Sequence, residues 1–380
     1  MRTLRILIVL LPLIILTSNW NLNQAARNQL KAPVSDGLPN EAILPFDKLN
    51  EFNSQVSSII DRSRINGNVL VAYKGKVILC ESRGFADFSN RQELNSTSPF
   101  QLASVSKSFT SLSIIMLQER GLIDYDDLVN QYIPEFPFKT ITIRHLLNHT
   151  SGMPNYFYLA ERYWDKSKNL TNEDVLQLLI KHKTPLNFTP GRSFNYSNTG
   201  YAMLALLVEK VSHVPFNRFL NDSVFKPLGM KNSFTFDRSH LDSLPQKVLG
   251  YRSKSRYAVA VPYDPTDEVL GDKSVYSTVE DLLKYVKAWT SDVLISEGSI
   301  EMAFTKTTLR NKREVDYGFG WRFKELSGNP VIYHNGLWHG FTSTITYVPD
   351  KDLTVIILNN TNSHVSGLAA NIIRTAGEIF

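Results

Sequence analysis

The sequence predicts an α+β protein in which an antiparallel sheet is flanked by helices from the two ends of the chain and interrupted by a long helical insertion. Three observations carry that expectation. Strand-like runs cluster near residues 68–88 and again near 330–360, helical periodicity dominates between them, and amphipathic helices precede the first cluster and follow the second. A lone hairpin is marginal in water, so the early pair of strands is best satisfied by joining the late three in one sheet.

The elements follow in order. "FDKLNEFNSQVSSIIDRSR" places Leu49, Phe52, Val56, Ile59 and Ile60 on one helical face. "NVLVAYKGKVILCESRGFADF" reads as two strands meeting at Lys74-Gly75-Lys76. In "FQLASVSKSFTSLSIIMLQERG", Phe109, Leu112, Ile115 and Met116 recur at helical spacing and Gly121 supplies a stop. From Leu117 to about Trp289 the chain is helical and loop-rich, with Pro134, Pro137, Pro185, Pro190, Pro227 and Pro262 as breakers. "PVIYHNG", "FTSTITYVPD" and "DLTVIILNN" then read as strands, the last two separated by a turn at Pro349-Asp350-Lys351, and a helix over about Val365 to Ile379 closes the chain. One domain over residues 43–380 results, with an α/β lobe over about 43–116 and 290–380 and an all-helical lobe over about 117–289.

Composition sets the class. A chain of 380 residues that is 43% hydrophobic and 20% charged can bury a sizeable core. The net charge of +5 is not gathered into a basic run or a basic-aromatic stripe, which argues against a nucleic-acid partner. Cys80 is the single cysteine, so no intrachain disulfide can form, and its place in the apolar run "KVILCES" predicts a buried strand thiol. The opening "MRTLRILIVLLPLIILTSNWNLNQAA" has two arginines before an unbroken apolar run from Ile6 to Leu16. At helical rise that run spans about 16 Å, roughly half of a bilayer's hydrocarbon core. It predicts a secretory leader over residues 1–26 or an uncleaved N-terminal membrane tether, followed by a linker over 27–42, and so an exported, periplasmic or extracellular protein.

The chemistry begins at Phe100 to Gly121, where a helix about to enter a core starts with several serines and a lysine. Residues i and i+3 share a helical face, so the Lys107 amine reaches the Ser104 hydroxyl. Serine is a weak nucleophile until a base removes its proton, and lysine serves as that base only when burial or nearby positive charge holds it neutral. Ser-x-x-Lys is a short pattern, and it recurs at Ser223 and Lys226, before a Pro-Leu-Gly turn and without supporting features. Further along, Tyr196-Ser197-Asn198 precedes an amphipathic helix, where a tyrosine can relay a proton and an asparagine can orient both a lysine and a substrate amide. His334-Asn335-Gly336 ends one strand where the next begins. There Gly336 permits close backbone approach, the strand edge can pair with a substrate amide, and His334 would present an imidazole to the cleft. The N–H groups of Leu337 and Ser104 are the candidate oxyanion donors.

These three motifs, in this order, resemble the serine β-lactamase and penicillin-binding protein superfamily, in particular its class C-like branch of β-lactamases, D,D-peptidases, esterases and D-amino-acid peptidases. The resemblance runs over roughly Phe46 to Phe380 and is supported by "ITIRHLLNHTSGMP", "PGRSFNYSNTGYAMLALLVEKVS", "KPLGM", "YSTVEDLLKY" and "YGFGW". It implies a β-lactamase/D,D-peptidase-like fold, Ser104 as the acylated nucleophile, Lys107 as its base, Tyr196 as the proton relay and Asn198 as the amide-binding side chain. His334 and Gly336 fall on the third motif. Class C β-lactamases usually carry Lys-Thr-Gly there, so a permanent charge is replaced by an imidazole that titrates near neutral pH, which weights efficient antibiotic hydrolysis down. Leu337, Trp338 and His339 follow and would wall the cleft against bulky ligands.

The sequence thus points to an exported serine hydrolase, of D,D-carboxypeptidase, D-aminopeptidase or esterase type, acting through an acyl-enzyme on an amide or ester of a small or peptidoglycan-derived substrate. It implies no metal and no organic cofactor. An alternative is a penicillin-binding or wall-fragment sensor, acylated and slow to release. His145 and His149, at i and i+4, resemble part of a zinc helix, but the Glu after the first His is missing and no third ligand is marked.

Overall fold

A computed structural model describes residues 44–254 and 257–380. The expected leader or tether over 1–26 and the linker over 27–42 lie outside the described residues. Among the described residues, no helix is long and apolar enough to cross a membrane.

Helix α1 (Phe46–Ser63) leads into β1 (Gly67–Tyr73) and β2 (Lys76–Arg83). The short strand β3 (Phe100–Gln101) and a 3₁₀ turn at Ala103–Val105 feed α2 (Ser106–Glu119). The insertion holds α3 (Ile143–Leu147), α4 (Tyr156–Tyr163), α5 (Asn172–His182) and α6 (Asn198–Ser212), then the strands β4 (Phe234–Thr235), β5 (Tyr251–Lys254), β6 (Tyr257–Ala260) and β7 (Val275–Ser277). Helix α7 (Val279–Thr290) returns the chain to the sheet, where β8 (Arg322–Leu326), β9 (Asn329–Trp338), β10 (Phe341–Val348), β11 (Leu353–Asn359) and α8 (Val365–Ile379) complete the fold.

The main sheet runs β8-β9-β10-β11-β1-β2 and is antiparallel throughout. The N-terminal hairpin therefore joins the C-terminal strands through β1 and β11, paired from Gly67 with Asn359 to Tyr73 with Leu353. Both strands are apolar on both faces because helices cover both. On β1, Val69 and Val71 enter the core formed with Phe52, Val56 and Ile60 of α1 and Leu368 and Ile372 of α8. Leu70 and Ala72 point the other way, into the larger core that includes Phe109, Leu112 and Tyr285. This alternation follows from the two-residue period of a strand.

Two details differ from the sequence-based expectation. The stretch over 117–289 is not all helix: β4 and β7 join the earlier β3 in a three-stranded sheet, and β5 pairs with β6. Strands of two to four residues are too short to display alternation. Helix α7 also packs against β11 and β1, so it belongs to the sheet layer rather than to the helical lobe. Cys80 is a further correction. It does lie on a strand, but on β2 at the sheet edge, where its side chain is exposed. An apolar run signals a strand without revealing that the strand is outermost.

Candidate active site

The turn before α2 is held from two sides. Leu102 donates its N–H to the Val275 oxygen of β7 at 2.8 Å, and its own oxygen accepts from Ser343 Oγ of β10 at 2.6 Å. Ser106 Oγ accepts from the Val275 N–H at 2.9 Å. Between these anchors Ala103 adopts φ of 49°, a left-handed conformation that an L-residue holds only when its surroundings impose it. Ser104 follows, partly exposed within an otherwise buried run.

Lys107 is fully buried one turn further on. Its Nζ lies 3.2 Å from Ser104 Oγ, 2.7 Å from Asn198 Oδ1 and 2.7 Å from the main-chain oxygen of Asp272. The last two atoms can only accept, so they take both hydrogens of a neutral amine and leave its lone pair facing the serine hydroxyl. Burial drives the lysine down from its usual value to about 7, opposed by the charge of Asp272 and assisted by that of Arg322. The condition for lysine to act as a base is thereby met near neutral pH.

Asn198 opens α6, and the cap of that helix is Ser197, whose Oγ accepts from the Gly200 N–H at 3.1 Å. The Asn198 side chain is thus free to serve Lys107. Tyr196, two residues earlier, is half-buried with its hydroxyl enclosed and its ring centroid 4.9 Å from Lys107 Nζ. Its hydroxyl lies beside Ser104 but completes no hydrogen bond of good geometry. Burial pushes the phenol up, against the influence of the Ser104 hydroxyl and Arg322, so the resting group is a protonated phenol.

Strand β9 closes the other side. A Cβ on Gly336 would lie 2.1 Å from the Leu102 oxygen and 2.3 Å from Ser343 Oγ, so only glycine lets the strand pass the serine turn. The β9–β10 hairpin closes at Trp338 and Phe341 through His339 and Gly340, both with positive φ. Hydrogen-bonded and non-hydrogen-bonded pairs alternate from that closing pair, so the Leu337 N–H turns away from β10. Strand β8 pairs only with Asn329–Tyr333, which leaves the edge from His334 to Trp338 open on that side. The Leu337 side chain is 67% exposed. The Ser104 N–H, in the first turn of its helix, has no intrahelical acceptor.

His334 requires a correction. Its ring is not offered to the cleft as a titrating group; it is 1% exposed, with Nδ1 at 2.9 Å from the Asn335 oxygen and Nε2 at 3.2 Å from Tyr317 Oη. A carbonyl only accepts, so Nδ1 carries the proton and Nε2 receives one from the tyrosine. Burial, then the charges of Lys107 and Arg322, hold the imidazole well below its ordinary range and keep it neutral.

The sequence reading missed Asp272, Tyr317 and Arg322. The Arg322 guanidinium lies 5.0 Å from the Tyr196 ring and 5.5 Å from the Tyr317 ring, and it has no carboxylate partner among the described residues. Both tyrosine and arginine were within reach of inference: Tyr317 opens "YGFGW", and Arg322 is the next residue. Asp272 pairs with Lys273 at 3.2 Å and accepts from Tyr156 Oη at 3.1 Å. The two histidines of α3 and its exit are occupied locally. His145 Nδ1 accepts from the Thr142 N–H at 3.1 Å, and His149 Nδ1 accepts from the Ser197 N–H at 3.0 Å. Among the described residues no group of three potential metal ligands occurs.

With this geometry in view, the comparisons are decisive. The family model described as Beta-lactamase matches residues 46–376. The chain belongs to the beta-lactamase family. Penicillin-binding protein 4* of Bacillus subtilis is 33% identical over 328 residues, covering 83% of this chain and 72% of that protein. The octameric penicillin-binding protein homologue from Pyrococcus abyssi superposes with a TM-score of 0.75 at 25% identity, over 88% of this chain and 78% of that one. D-amino acid amidase from Ochrobactrum anthropi, at 18% identity, shares the fold with a TM-score of 0.73 over 87% of this chain and 99% of its own. As a beta-lactamase-family member with penicillin-binding relatives, the protein has the general character of a serine hydrolase that works through an acyl-enzyme.

Proposed function

We propose that the protein is an exported hydrolase that cleaves an amide or ester of a small or cell-wall-derived, carboxylate-bearing substrate through an acyl-enzyme at Ser104. The observation that carries this reading is the Lys107 amine, committed to Asn198 Oδ1 and the Asp272 oxygen at 2.7 Å each, with Ser104 Oγ at its third position. Neutral Lys107 takes the serine proton as Oγ attacks the substrate carbonyl, and the oxyanion is received by the N–H groups of Ser104 and Leu337. Tyr196 gives its proton to the leaving group and recovers one from the Lys107 ammonium. Water then enters by the reverse path, releases the acid and restores Ser104.

The open edge of β9 supports binding of an extended amide, and the Arg322 guanidinium, without a carboxylate partner among the described residues, supports recognition of a substrate carboxylate. With His334 neutral and interior, Arg322 supplies the cation that the third motif does not. The name of the Bacillus subtilis relative fits a β-lactam as a substrate mimic. Export rests on the apolar run from Ile6 to Leu16, which also suits an N-terminal tether.

The test is to incubate the protein with a fluorescent penicillin, p-nitrophenyl esters and D-alanyl-D-alanine peptides. Turnover of any of them with none in Ser104→Ala is the expected result. A stable one-to-one penicillin adduct without turnover would favour the sensor, and labelling that persists in Ser104→Ala would remove Ser104 as nucleophile.

A further inference from the structure

A cavity of about 270 Å³ lies behind the β9–β10 turn, where Tyr263, Tyr276, Phe341 and Val261 form apolar walls. None of Ser104, Lys107 or Tyr196 lines it. Gln101, at the end of β3, does, and it is only 2% exposed. Its side-chain amide makes no hydrogen bond among the described residues, and Nε2 is fully buried. Leaving such a group unpaired costs about 1–3 kcal/mol, and buried amides in native proteins have partners. Asp267, on the same lining, is by contrast engaged through both oxygens. Its Oδ1 accepts from Trp338 Nε1 at 2.6 Å, with His339 Nδ1 at 3.5 Å, and its Oδ2 accepts from the Asp264 N–H at 2.7 Å.

These features specify a ligand. A primary amide presents a donor and an acceptor side by side, and its natural complement is another amide. The Asp267 carboxylate disfavours an anion in the same space. A cavity of about 150 Å³ holds a benzene ring, so this one has room for a ring and an amide together. We propose that the cavity is a second binding site, taking a neutral small molecule in which one aromatic or branched apolar body carries a carboxamide that pairs with Gln101. The occupant would touch His339, which stacks on Trp338 at 4.1 Å, and Trp338 in turn stacks on Phe157 at 5.1 Å beside the open β9 edge.

The inference stands apart from the hydrolytic reading, because its test reads binding and not activity. Benzamide, N-acetylphenylalaninamide and benzoate are titrated into the full chain and followed by ligand-observed NMR and calorimetry. At least one of the two amides binds wild type and Ser104→Ala equally, and benzoate does not displace it. Gln101→Leu weakens the amide about tenfold or more. Val261→Phe, which fills the cavity from a partly exposed position, abolishes binding. Should Gln101→Leu fail to fold, Val261→Phe decides alone. Amide binding that survives Val261→Phe, or that disappears in Ser104→Ala, places the probe elsewhere and overturns the proposal. So does the absence of saturation by either amide at concentrations on the order of 10 mM, which reduces the cavity to a place for water.

Discussion

Lys107 Nζ accepts no help from the Asp272 carboxylate directly: it lies 2.7 Å from the main-chain oxygen of Asp272, whose side chain is turned into an ion pair with Lys273 at 3.2 Å. The aspartate is thus close enough to raise the lysine's proton affinity but is not its salt-bridge partner. Burial prevails, and the amine is held at about 7.

Since the neutral amine is the base, activity should rise with pH through that value. Below about pH 7, kcat/KM for an ester substrate is expected to fall about tenfold per pH unit. Lys107→Arg keeps a charge at every working pH and should cost about 10²–10⁴-fold in kcat/KM. A pH profile that stays flat from about pH 5 to 9 would show that another group does the work.

The two charges around Lys107 act in opposite senses. Asp272 raises it and Arg322 lowers it. Removing the first charge by Asp272→Asn should move the acid limb of the rate profile to lower pH. Removing the second by Arg322→Met should move it to higher pH and also weaken substrates that bear a carboxylate relative to their methyl esters. Asp272→Asn leaves Lys273 buried without its counter-charge, so its folding must be checked by calorimetry. Limbs that move in the same direction in both variants would contradict the electrostatic account.

Much of this site was legible in the sequence because its parts are local. Ser104 and Lys107 lie three residues apart across the 3₁₀ turn and the start of α2, and Tyr196 and Asn198 flank one helix cap, so spacing carries each pair. That the pairs meet beside Gly336, which sits two residues before the end of β9 rather than at its end, was implied only by the family resemblance. The state of His334 was not legible. It depends on burial and on charges from Lys107 and Arg322, which reach it only in the folded chain. The same holds for Cys80, whose exposure depends on which strand is outermost, and for α7, whose sequence shows an apolar face without naming the strands it covers.

Gly336 offers a test of the fold around the nucleophile. A methyl there would sit 2.1 Å from the Leu102 oxygen and 3.0 Å from Ala103 Cβ, in a turn that three hydrogen bonds already hold. Gly336→Ala should destabilise the protein by about 1–3 kcal/mol in urea denaturation, as overpacking does, and Gly336→Val by more. It should also slow acylation, because β9 and the Ser104 turn are forced apart. A Gly336→Ala protein as stable and active as wild type would mean that the strand does not need to pass so close.

Tyr196 separates binding from proton delivery. Its phenol is raised by burial and is protonated at rest, so its contribution lies in donating to the leaving group rather than in stripping Ser104. An amide nitrogen cannot depart without that proton, whereas p-nitrophenolate is stable as an anion and can. Tyr196→Phe keeps the ring that sits 4.9 Å from Lys107 Nζ and deletes only the hydroxyl. The expected loss in kcat is about 10²–10⁴-fold for an amide and markedly less for a p-nitrophenyl ester of the same acyl group. Equal losses on the two substrates, measured as single-turnover acylation rates, would assign the hydroxyl to activation of Ser104 instead and would leave Lys107 without its sole charge as base.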